Sequence, residues 1–326
     1  MKKVYDFLKK HSIIVVAVLG ILAPLVITNT YHVHIILMCM MYGVLASSLN
    51  IAVGMTGLSN LAHATFFGIG AYAAAILNTR YGLPFYLTFF AGGLVAMVFG
   101  FILGAPTLRL KGVFLALVTT GFGQVIRIVE LNWVSLTNGP MGISGIDAAE
   151  VGSYSFSTVS YIYYGLALLI LCMYMSKRLM GTRVGRALFA IKYDETVARS
   201  LGVNITFYKV GAYVLSACMA GMAGSIFAHY VSFISPDTFT VADSTTVLCM
   251  VILGGAGSLL GPVIGAFILT IAPEIFRFAQ TYRMIFIGAV MVIGVIANER
   301  GWVPMITSKI RGLFHKKQTS EEGGKA

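Results

Sequence analysis

The sequence predicts an all-α, polytopic integral membrane protein with about eight to ten transmembrane helices. Of its 326 residues, 58% are hydrophobic and only 11% are charged, whereas a soluble globular chain carries about 25% charged residues. No acidic or basic side chain occurs between Lys10 and Arg80, or between Arg80 and Arg109. Apolar residues run continuously here, without the alternation of membrane β-strands. Because lipid offers the backbone no hydrogen-bond partner, such runs cross membranes as helices.

Ten apolar segments are candidate helices, since about 20 apolar residues cross a bilayer. They lie at residues 12–29, 33–53, 61–79, 84–105, 112–131, 158–176, 207–229, 243–256, 261–276 and 283–298. The segments 243–256 and 261–276 are short for a full crossing. They either cross separately or form one re-entrant pair, so the chain has ten crossings or eight.

The basic residues predict the orientation. The formal net charge is +11, and 19 of the 23 Lys and Arg residues fall in segments that are cytoplasmic if the N-terminus lies inside. Cytoplasmic loops carry such an excess, so we expect both termini in the cytoplasm, contact with membrane lipid and no nucleic-acid partner. We expect one transmembrane domain at residues 1–310, including a cytoplasmic segment at 177–208, and a disordered tail at 311–326.

The stretch from Leu49 to Leu77 is free of charge but interrupted. It reads LNIAVGMTGLSNLAHATFFGIGAYAAAIL, with Gly54 and Gly57 just ahead of several polar residues. A break within a membrane frees backbone groups that only protein or a water-lined cavity can satisfy. The polar residues therefore either line a path through the membrane or bond neighbouring helices. The candidate path residues are Ser59, Asn60, His63 and Thr65.

A second glycine-rich stretch, MVILGGAGSLLGPVIGAF, covers residues 250–267. Gly257, Gly261 and Gly265 repeat at four-residue spacing, which predicts one helix face that admits a close neighbour. Pro262 is expected to bend or interrupt this helix. Ordinary helix packing and a role in gating are both open. The glycines assigned to packing or gating are Gly54, Gly57, Gly254, Gly255, Gly257, Gly261 and Gly265.

The segment 177–208 is too polar to span the membrane. Apolar residues are interspersed with charges, which predicts one or two short amphipathic helices at the membrane face. Asp194 is a candidate N-cap for a helix from Glu195 to Leu201, with Gly202 just past its end. The helices either anchor the chain at the lipid interface or form a docking surface for a cytoplasmic motor.

The sequence holds no motif for an energy source or for catalysis. The phosphate-binding pattern GxxxxGK[ST] does not occur, nor do HExxH or GxSxG. The apolar segments carry almost no carboxylates of the kind that serve ion-coupled transporters as relays. The four cysteines form no CxxC pair, and we interpret them as packing residues rather than metal ligands. These observations favour a transport path whose energy comes from other subunits, not an enzyme.

Four stretches give the chain a resemblance to a known family. Together they cover most of residues 45–270, and they are LNIAVGMTGLSNLAHATFFGIGAYAAAIL, TNGPMGISGI, GRALFAIKYDETVARSLGVN with the following YKVGAYVLSACMAGMAGSIFA, and SPDTFTVADSTTVLCMVILGGAGSLLGPVIGA. In order and spacing they resemble the inner-membrane permease subunits of bacterial branched-chain amino acid ABC importers, specifically the M-type subunit of the Liv system. Such permeases also carry urea, short amides and, more distantly, simple sugars.

The resemblance implies a multi-pass permease of the bacterial cytoplasmic (inner) membrane that binds no cofactor itself. A periplasmic or extracellular binding protein would deliver the amino acid, an H-type paralogue would be the second permease, and two cytoplasmic ATPase subunits would hold ATP and Mg. Less favoured alternatives are a permease for urea, short amides or another small polar nutrient, and an ion-coupled secondary transporter or channel.

The resemblance also implies that residues 185–202 contain the coupling helix that meets the ATPases. Glu195, Ala198 and Gly202 approximate the acidic–Ala–Gly pattern of such helices, although their spacing departs from the common form. The residues assigned to coupling are Gly185, Arg186, Ala187, Ile191, Asp194, Glu195, Ala198, Leu201 and Gly202.

Overall fold

The computed structural model describes residues 12–26, 29–108, 110, 112–151, 154–275 and 288. Helices dominate these residues. They are α1 (Ser12–Val26), α2 (Thr30–Leu49), α3 (His63–Tyr81), α4 (Phe85–Thr107), α5 (Val113–Asn132), α6 (Val134–Thr137), α7 (Thr158–Gly181), α8 (Arg183–Tyr193), α9 (Glu195–Ser200), α10 (Ile205–Val231), α11 (Val241–Gly254) and α12 (Gly261–Ile275). Helix α2 continues directly into a π-helix, Asn50–Gly54.

Six helical stretches of the described chain are long and apolar enough to cross a membrane. They are Tyr31–Gly54, Phe85–Thr107, Val113–Asn132, Thr158–Gly181, Ile205–Val231 and Pro236–Gly254. The predicted all-α, multi-pass fold is therefore confirmed. Most of the predicted segment 283–298, the tail 311–326 and both termini lie outside the described residues. The number of crossings and the side of the termini stay predictions.

Helices α3, α4 and α10 form a tightly packed group because glycines let their backbones approach. A Cβ atom placed on Gly70 would lie 2.2 Å from the carbonyl oxygen of Gly221, and one placed on Gly221 would lie 2.6 Å from that of Gly92. The rings of Phe66 and Tyr213 are fully buried beside this contact and meet edge to face. This packing fixes the start of α3, where the predicted path residues lie.

Helices α11 and α12 form an antiparallel pair joined by a glycine-rich turn. A Cβ atom on Gly261 would lie 2.2 Å from the carbonyl oxygen of Gly254, and one on Gly265 would lie 2.1 Å from that of Met250. The predicted common helix face is wrong for Gly257, which lies in the turn with a φ of 90°. Pro262 does not interrupt a helix either. It lies in the first turn of α12, where no amide donor is needed.

The segment between α5 and α7 folds against the ends of other helices. It contains the 3₁₀ turn Gly139–Met141 and the strands β1 (Ile143–Ser144), β2 (Glu150–Val151) and β3 (Tyr154–Ser155). Strands β2 and β3 pair as an antiparallel hairpin, and β1 pairs antiparallel with β4 (Phe233–Ile234), which follows α10. The backbone amide of Asp147 donates to Asn78 Oδ1 over 2.9 Å, which ties the segment to α3.

Candidate functional site

The predicted break in the charge-free stretch is confirmed at Gly57, but it is wrong for Gly54, which lies in helical backbone at the end of the π-helix. The π-helix turns into a loop at residues 57–62, and α3 begins only at His63. Gly57 adopts a φ of 74°, a backbone conformation that other residues rarely tolerate. The π-helix has no signal in the sequence, because nothing in the residues 50–54 distinguishes a π-turn from an ordinary helical turn. Loop 57–62 is therefore a short irregular connection next to a membrane-spanning helix.

Asn60 and His63 are buried immediately after this break, and each keeps one polar atom unpartnered. The Asn60 Oδ1 atom accepts from the Ala62 amide over 2.9 Å and from the Tyr213 hydroxyl over 3.2 Å. Its Nδ2 donor has no partner among the described residues. Asn60 thus bonds a neighbouring helix and still has a free donor that points into the protein interior.

His63 leaves an acceptor unpaired in the same region. Its Nε2 lies 2.9 Å from the Ser48 hydroxyl, which itself donates to the Leu45 carbonyl oxygen. The Nε2 atom must then carry the hydrogen, and Nδ1 is a buried acceptor without a partner in the described chain. Buried polar groups are nearly always hydrogen-bonded, so such an atom requires an explanation such as water or a ligand.

Other predicted and unpredicted polar residues surround the break. Thr65 is buried, and a Cβ atom on Gly123 of α5 would lie 2.9 Å from its hydroxyl oxygen. Ser59 is only partly buried. The Thr119 and Ser244 hydroxyls accept from the amides of Leu61 and Ala64 at 3.1 and 2.9 Å. Sequence reasoning missed Thr119, Tyr213 and Ser244, because polar residues recur throughout the apolar helices without a local signal for this loop.

One or two short helices were predicted in the segment 177–208, and two are present, α8 and α9. The Asp194 carboxylate caps α9 by accepting from the Thr196 amide over 2.7 Å. At the other end Gly202 has a φ of 80°, and its amide donates to the Arg199 carbonyl oxygen over 3.0 Å. These contacts are those of a glycine-terminated helix. The predicted cap and stop are confirmed, with the helix ending one residue earlier than predicted, at Ser200.

The residues assigned to coupling divide into a buried and an exposed set. Gly185, Ile191 and Ala198 are buried within this chain, and the last two pack with Ile205 of α10. Arg186, Asp194, Leu201 and Gly202 are exposed, while Ala187 and Glu195 are partly buried. The buried residues therefore hold the two helices against the rest of the chain and do not reach its surface.

An apolar face points away from the protein on the same helices. Its side chains, hereafter the docking face, are Tyr193, Val197 and Leu201, which are 87%, 54% and 75% exposed. Of these three residues, only Leu201 was assigned to coupling from the sequence, although Val197 also counts among the apolar residues of the segment. Tyr193 has no local signal, because it ends α8 and the extended Asp194 separates it from α9.

Beneath this face, Glu195 forms an ion pair with Lys209. The carboxylate lies 2.5 Å from the ammonium group, whose side chain is buried at the start of α10. The acidic residue of the coupling pattern thus has an internal partner.

A second basic residue links the segment 177–208 to the break. The Lys192 ammonium group donates to the Gly54 carbonyl oxygen over 2.8 Å, and burial lowers the pKa of Lys192. Asn50, one turn earlier in the π-helix, accepts from the Gly257 amide over 2.7 Å and donates to the Ser258 carbonyl oxygen over 2.8 Å. Helix α8, the end of α2 and the turn between α11 and α12 therefore meet at one place. Sequence reasoning singled out neither Lys192 nor Asn50.

Metal-binding groups are not assembled in the described part of the chain. No three His, Cys, Asp or Glu residues of that part are placed to share a metal ion. The four cysteines are free thiols, and Cys172 contacts the Met219 sulfur at 2.9 Å within the core.

Comparison with known proteins identifies the family. Residues 31–295 match the family described as "Branched-chain amino acid transport system / permease component". The chain belongs to this permease family. The permease is 36% identical over 327 residues to the high-affinity branched-chain amino acid transport system permease protein LivM of Salmonella typhimurium. The matched region covers 93% of this chain and 77% of the relative. LivM of Escherichia coli K12 shows the same identity and coverage.

More distant relatives also match this permease. The autoinducer 2 import system permease protein LsrC of Shigella flexneri is 31% identical over 202 residues, covering 60% of this chain and 56% of the relative. No solved structure matches the permease. Its family and its apolar helices make it a multi-pass transport subunit of the inner membrane, which confirms the resemblance found in the four motifs.

Proposed function

We propose that this permease is the M-type subunit of an ATP-driven importer of branched-chain amino acids. Together with a second permease of the H type, it would form the path for aliphatic amino acids that a binding protein delivers. The identity of 36% over 93% of the chain to relatives named LivM supports this substrate over urea or short amides. ATP and Mg would be held by two partner ATPases.

The observation that carries the path assignment is the pair of unpartnered atoms beside the break. Asn60 Nδ2 is a hydrogen-bond donor and His63 Nδ1 is an acceptor, and both are buried. A zwitterionic amino acid presents a carboxylate that needs donors and an ammonium group that needs acceptors. The two atoms therefore offer both kinds of partner without a fixed charge, which suits a substrate of zero net charge with an aliphatic side chain.

The docking face is the proposed contact with the ATPases. Three large apolar side chains are strongly exposed on a polar, basic segment, and exposed apolar surface is typical of a protein interaction site. The ion pair of Glu195 and Lys209 and the buried Ala198 hold this face on a rigid base. A rigid base suits force transmission between subunits, whereas a lipid anchor has no need of one.

The test is reconstitution of the permease with its neighbouring gene products in lipid vesicles. We expect the pure permease alone not to hydrolyse ATP. The full complex should hydrolyse ATP faster, and take up labelled leucine, when the loaded binding protein is present. Stimulation by urea or acetamide but not by leucine would support the alternative substrate class. Leucine uptake by the permease alone, driven by an ion gradient, would refute the importer model.

A further inference from the structure

We propose that Lys192 is a positioning residue that transmits movement of the cytoplasmic segment to the broken end of α2. The inference rests on the proposed function, because it assumes that ATPases move α8 and α9. It goes further by naming the contact through which that movement reaches the path.

The first step is the bond between Lys192 and Gly54. Gly54 is the last residue of the π-helix, and carbonyl groups at a helix end lack partners within the helix. The Lys192 ammonium group donates to this carbonyl oxygen over 2.8 Å. A cation at a helix C-terminus is favourable. The bond joins two elements that are 138 residues apart in sequence. The bond is to a backbone atom, and displacement of α8 therefore acts on the helix itself.

Packing next to the bond makes the contact stiff. Leu188 lies one turn before Lys192 on α8 and is buried against Ile51 and Met55, which flank Gly54. Lys192 also runs along the break, because a Cβ atom on Gly57 would lie 3.3 Å from its Cγ atom. One face of α8 thus meets the end of α2 through both an apolar contact and a charged hydrogen bond.

The same place also holds the turn between α11 and α12. Asn50 bonds the Gly257 amide and the Ser258 carbonyl oxygen, at 2.7 and 2.8 Å. Gly54 leaves no room for a side chain here, since a Cβ atom on it would lie 2.6 Å from the Gly257 amide nitrogen. The coupling node, defined as Asn50, Gly54, Lys192, Gly257 and Ser258, therefore joins three elements through backbone atoms.

The position of the node connects the docking face with the path. Tyr193, the next residue after Lys192, is exposed on the docking face. On the other side of the node, Gly54 is followed six residues later by Asn60 of loop 57–62, whose amide oxygen accepts from the Tyr213 hydroxyl. A push on the docking face would thus reach the candidate path through Lys192 and the end of α2.

The test compares Lys192→Met with Lys192→Arg in the full complex with ATPases, second permease and binding protein. Lys192→Met should assemble and keep its basal ATP hydrolysis. Its substrate uptake per ATP hydrolysed should fall severalfold, because displacement of α8 then no longer acts on the Gly54 carbonyl group through a hydrogen bond. Lys192→Arg keeps a cationic donor and should retain most of the coupling. Arg183→Met, which removes an exposed charge from the same helix, is the matched control and should behave as wild type.

A cross-linked variant separates coupling from simple stability. A Cβ atom on Gly57 would lie 3.9 Å from the Lys192 Cβ atom, and disulfides join Cβ atoms about 3.5–4.5 Å apart. Gly57→Cys with Lys192→Cys should be uncoupled when reduced and should regain uptake per ATP when oxidised, because the covalent link replaces the amine bond. Gly57→Cys alone is the control, and it shows how far a side chain at position 57 lowers the uptake per ATP hydrolysed.

Two results would overturn the proposal. One is unchanged uptake per ATP in Lys192→Met. The other is a double-cysteine variant that stays uncoupled after oxidation although Gly57→Cys alone is still coupled. Failure of the proposed function would look different, because the wild-type complex would then not import leucine. In that case the substrate uptake per ATP hydrolysed is measured with whichever substrate stimulates the ATPases of the wild-type complex.

Discussion

The Glu195 carboxylate lies 2.5 Å from the Lys209 ammonium group, and only 2% of the Lys209 side chain is exposed. The pair fastens the first residue of α9 to the N-terminal part of α10. Removal of one partner of a buried pair leaves the other charge uncompensated, which costs about 3–5 kcal/mol. Glu195 therefore stabilises the coupling segment from inside.

Glu195→Ala is expected to lower the thermal unfolding midpoint of the purified permease, because it strands the Lys209 charge. The matched control is Asp237→Asn, which breaks the ion pair with Arg127. That pair also measures 2.5 Å, but its side chains are 37% and 74% exposed, and exposed pairs contribute about 0–1 kcal/mol. Equal shifts in the two variants would show that burial does not determine the strength of these pairs.

Leu201→Glu should release the ATPases while the permease still inserts and keeps its unfolding midpoint, because the side chain is 75% exposed. The measurement is co-purification of the ATPases with a tagged permease. Thr196→Glu adds the same charge at an exposed position of α9 outside the docking face and serves as control. Ala198→Glu should also abolish transport, but it buries a carboxylate beside Ile191 and Ile205, so it does not test docking. Normal ATPase binding by Leu201→Glu would refute the docking face.

Gly202→Pro should abolish transport while the permease still inserts. Proline cannot adopt the φ of 80° and lacks the amide that donates to Arg199. A local destabilisation above about 1 kcal/mol is expected for such an incompatible site. Limited proteolysis of the segment reports it directly. Gly202→Asn is the control, because asparagine tolerates this conformation better than other residues. Full transport by Gly202→Pro would mean that the end of α9 is not needed for coupling.

Ser59→Cys should react with a small, charged, water-soluble thiol reagent during turnover, because Ser59 is partly exposed next to the break. Labelling is monitored through the loss of transport and by mass spectrometry. The wild-type permease, treated in the same way, gives the background reaction of its own cysteines. Leu94→Cys, an exposed apolar position in α4, should not react, since a charged reagent does not enter lipid. Protection of Ser59→Cys in every transport state would favour helix packing over a hydrated path.

Gly265→Ala should destabilise the pair of α11 and α12 by about 1–3 kcal/mol, the usual cost of overpacking. Its new Cβ atom would lie 2.1 Å from the Met250 carbonyl oxygen, which the helix holds in place. The change is measured as a lower thermal unfolding midpoint. At Gly121, by contrast, nothing lies within 4 Å of a new Cβ atom, and Gly121→Ala should leave the midpoint unchanged or raise it. A neutral Gly265→Ala would indicate that these helices separate readily.

Local features of the structure were predictable because they depend on neighbouring residues. The apolar runs became helices, since lipid leaves the backbone no other partner. The break at Gly57 and the helix from Asp194 to Gly202 follow from glycine conformation and side-chain capping, which act over a few residues. Spacing alone was misleading at Gly257, where a four-residue repeat predicted a helix and the chain forms a turn.

The composition and motifs of the chain were enough to establish an all-α membrane protein, its family and the location of the break. Tertiary packing alone decided which side of each polar helix faces inward. Ala198 of α9 and Leu201, just past the end of α9, lie three residues apart, yet one is buried against Ile205 and the other is exposed. The bond from Lys192 to Gly54 and the pair of Glu195 with Lys209 likewise depend on how helices are placed against each other. A residue's hydrophobicity and local propensity do not encode such a partner, because the contact exists only once the helices have packed.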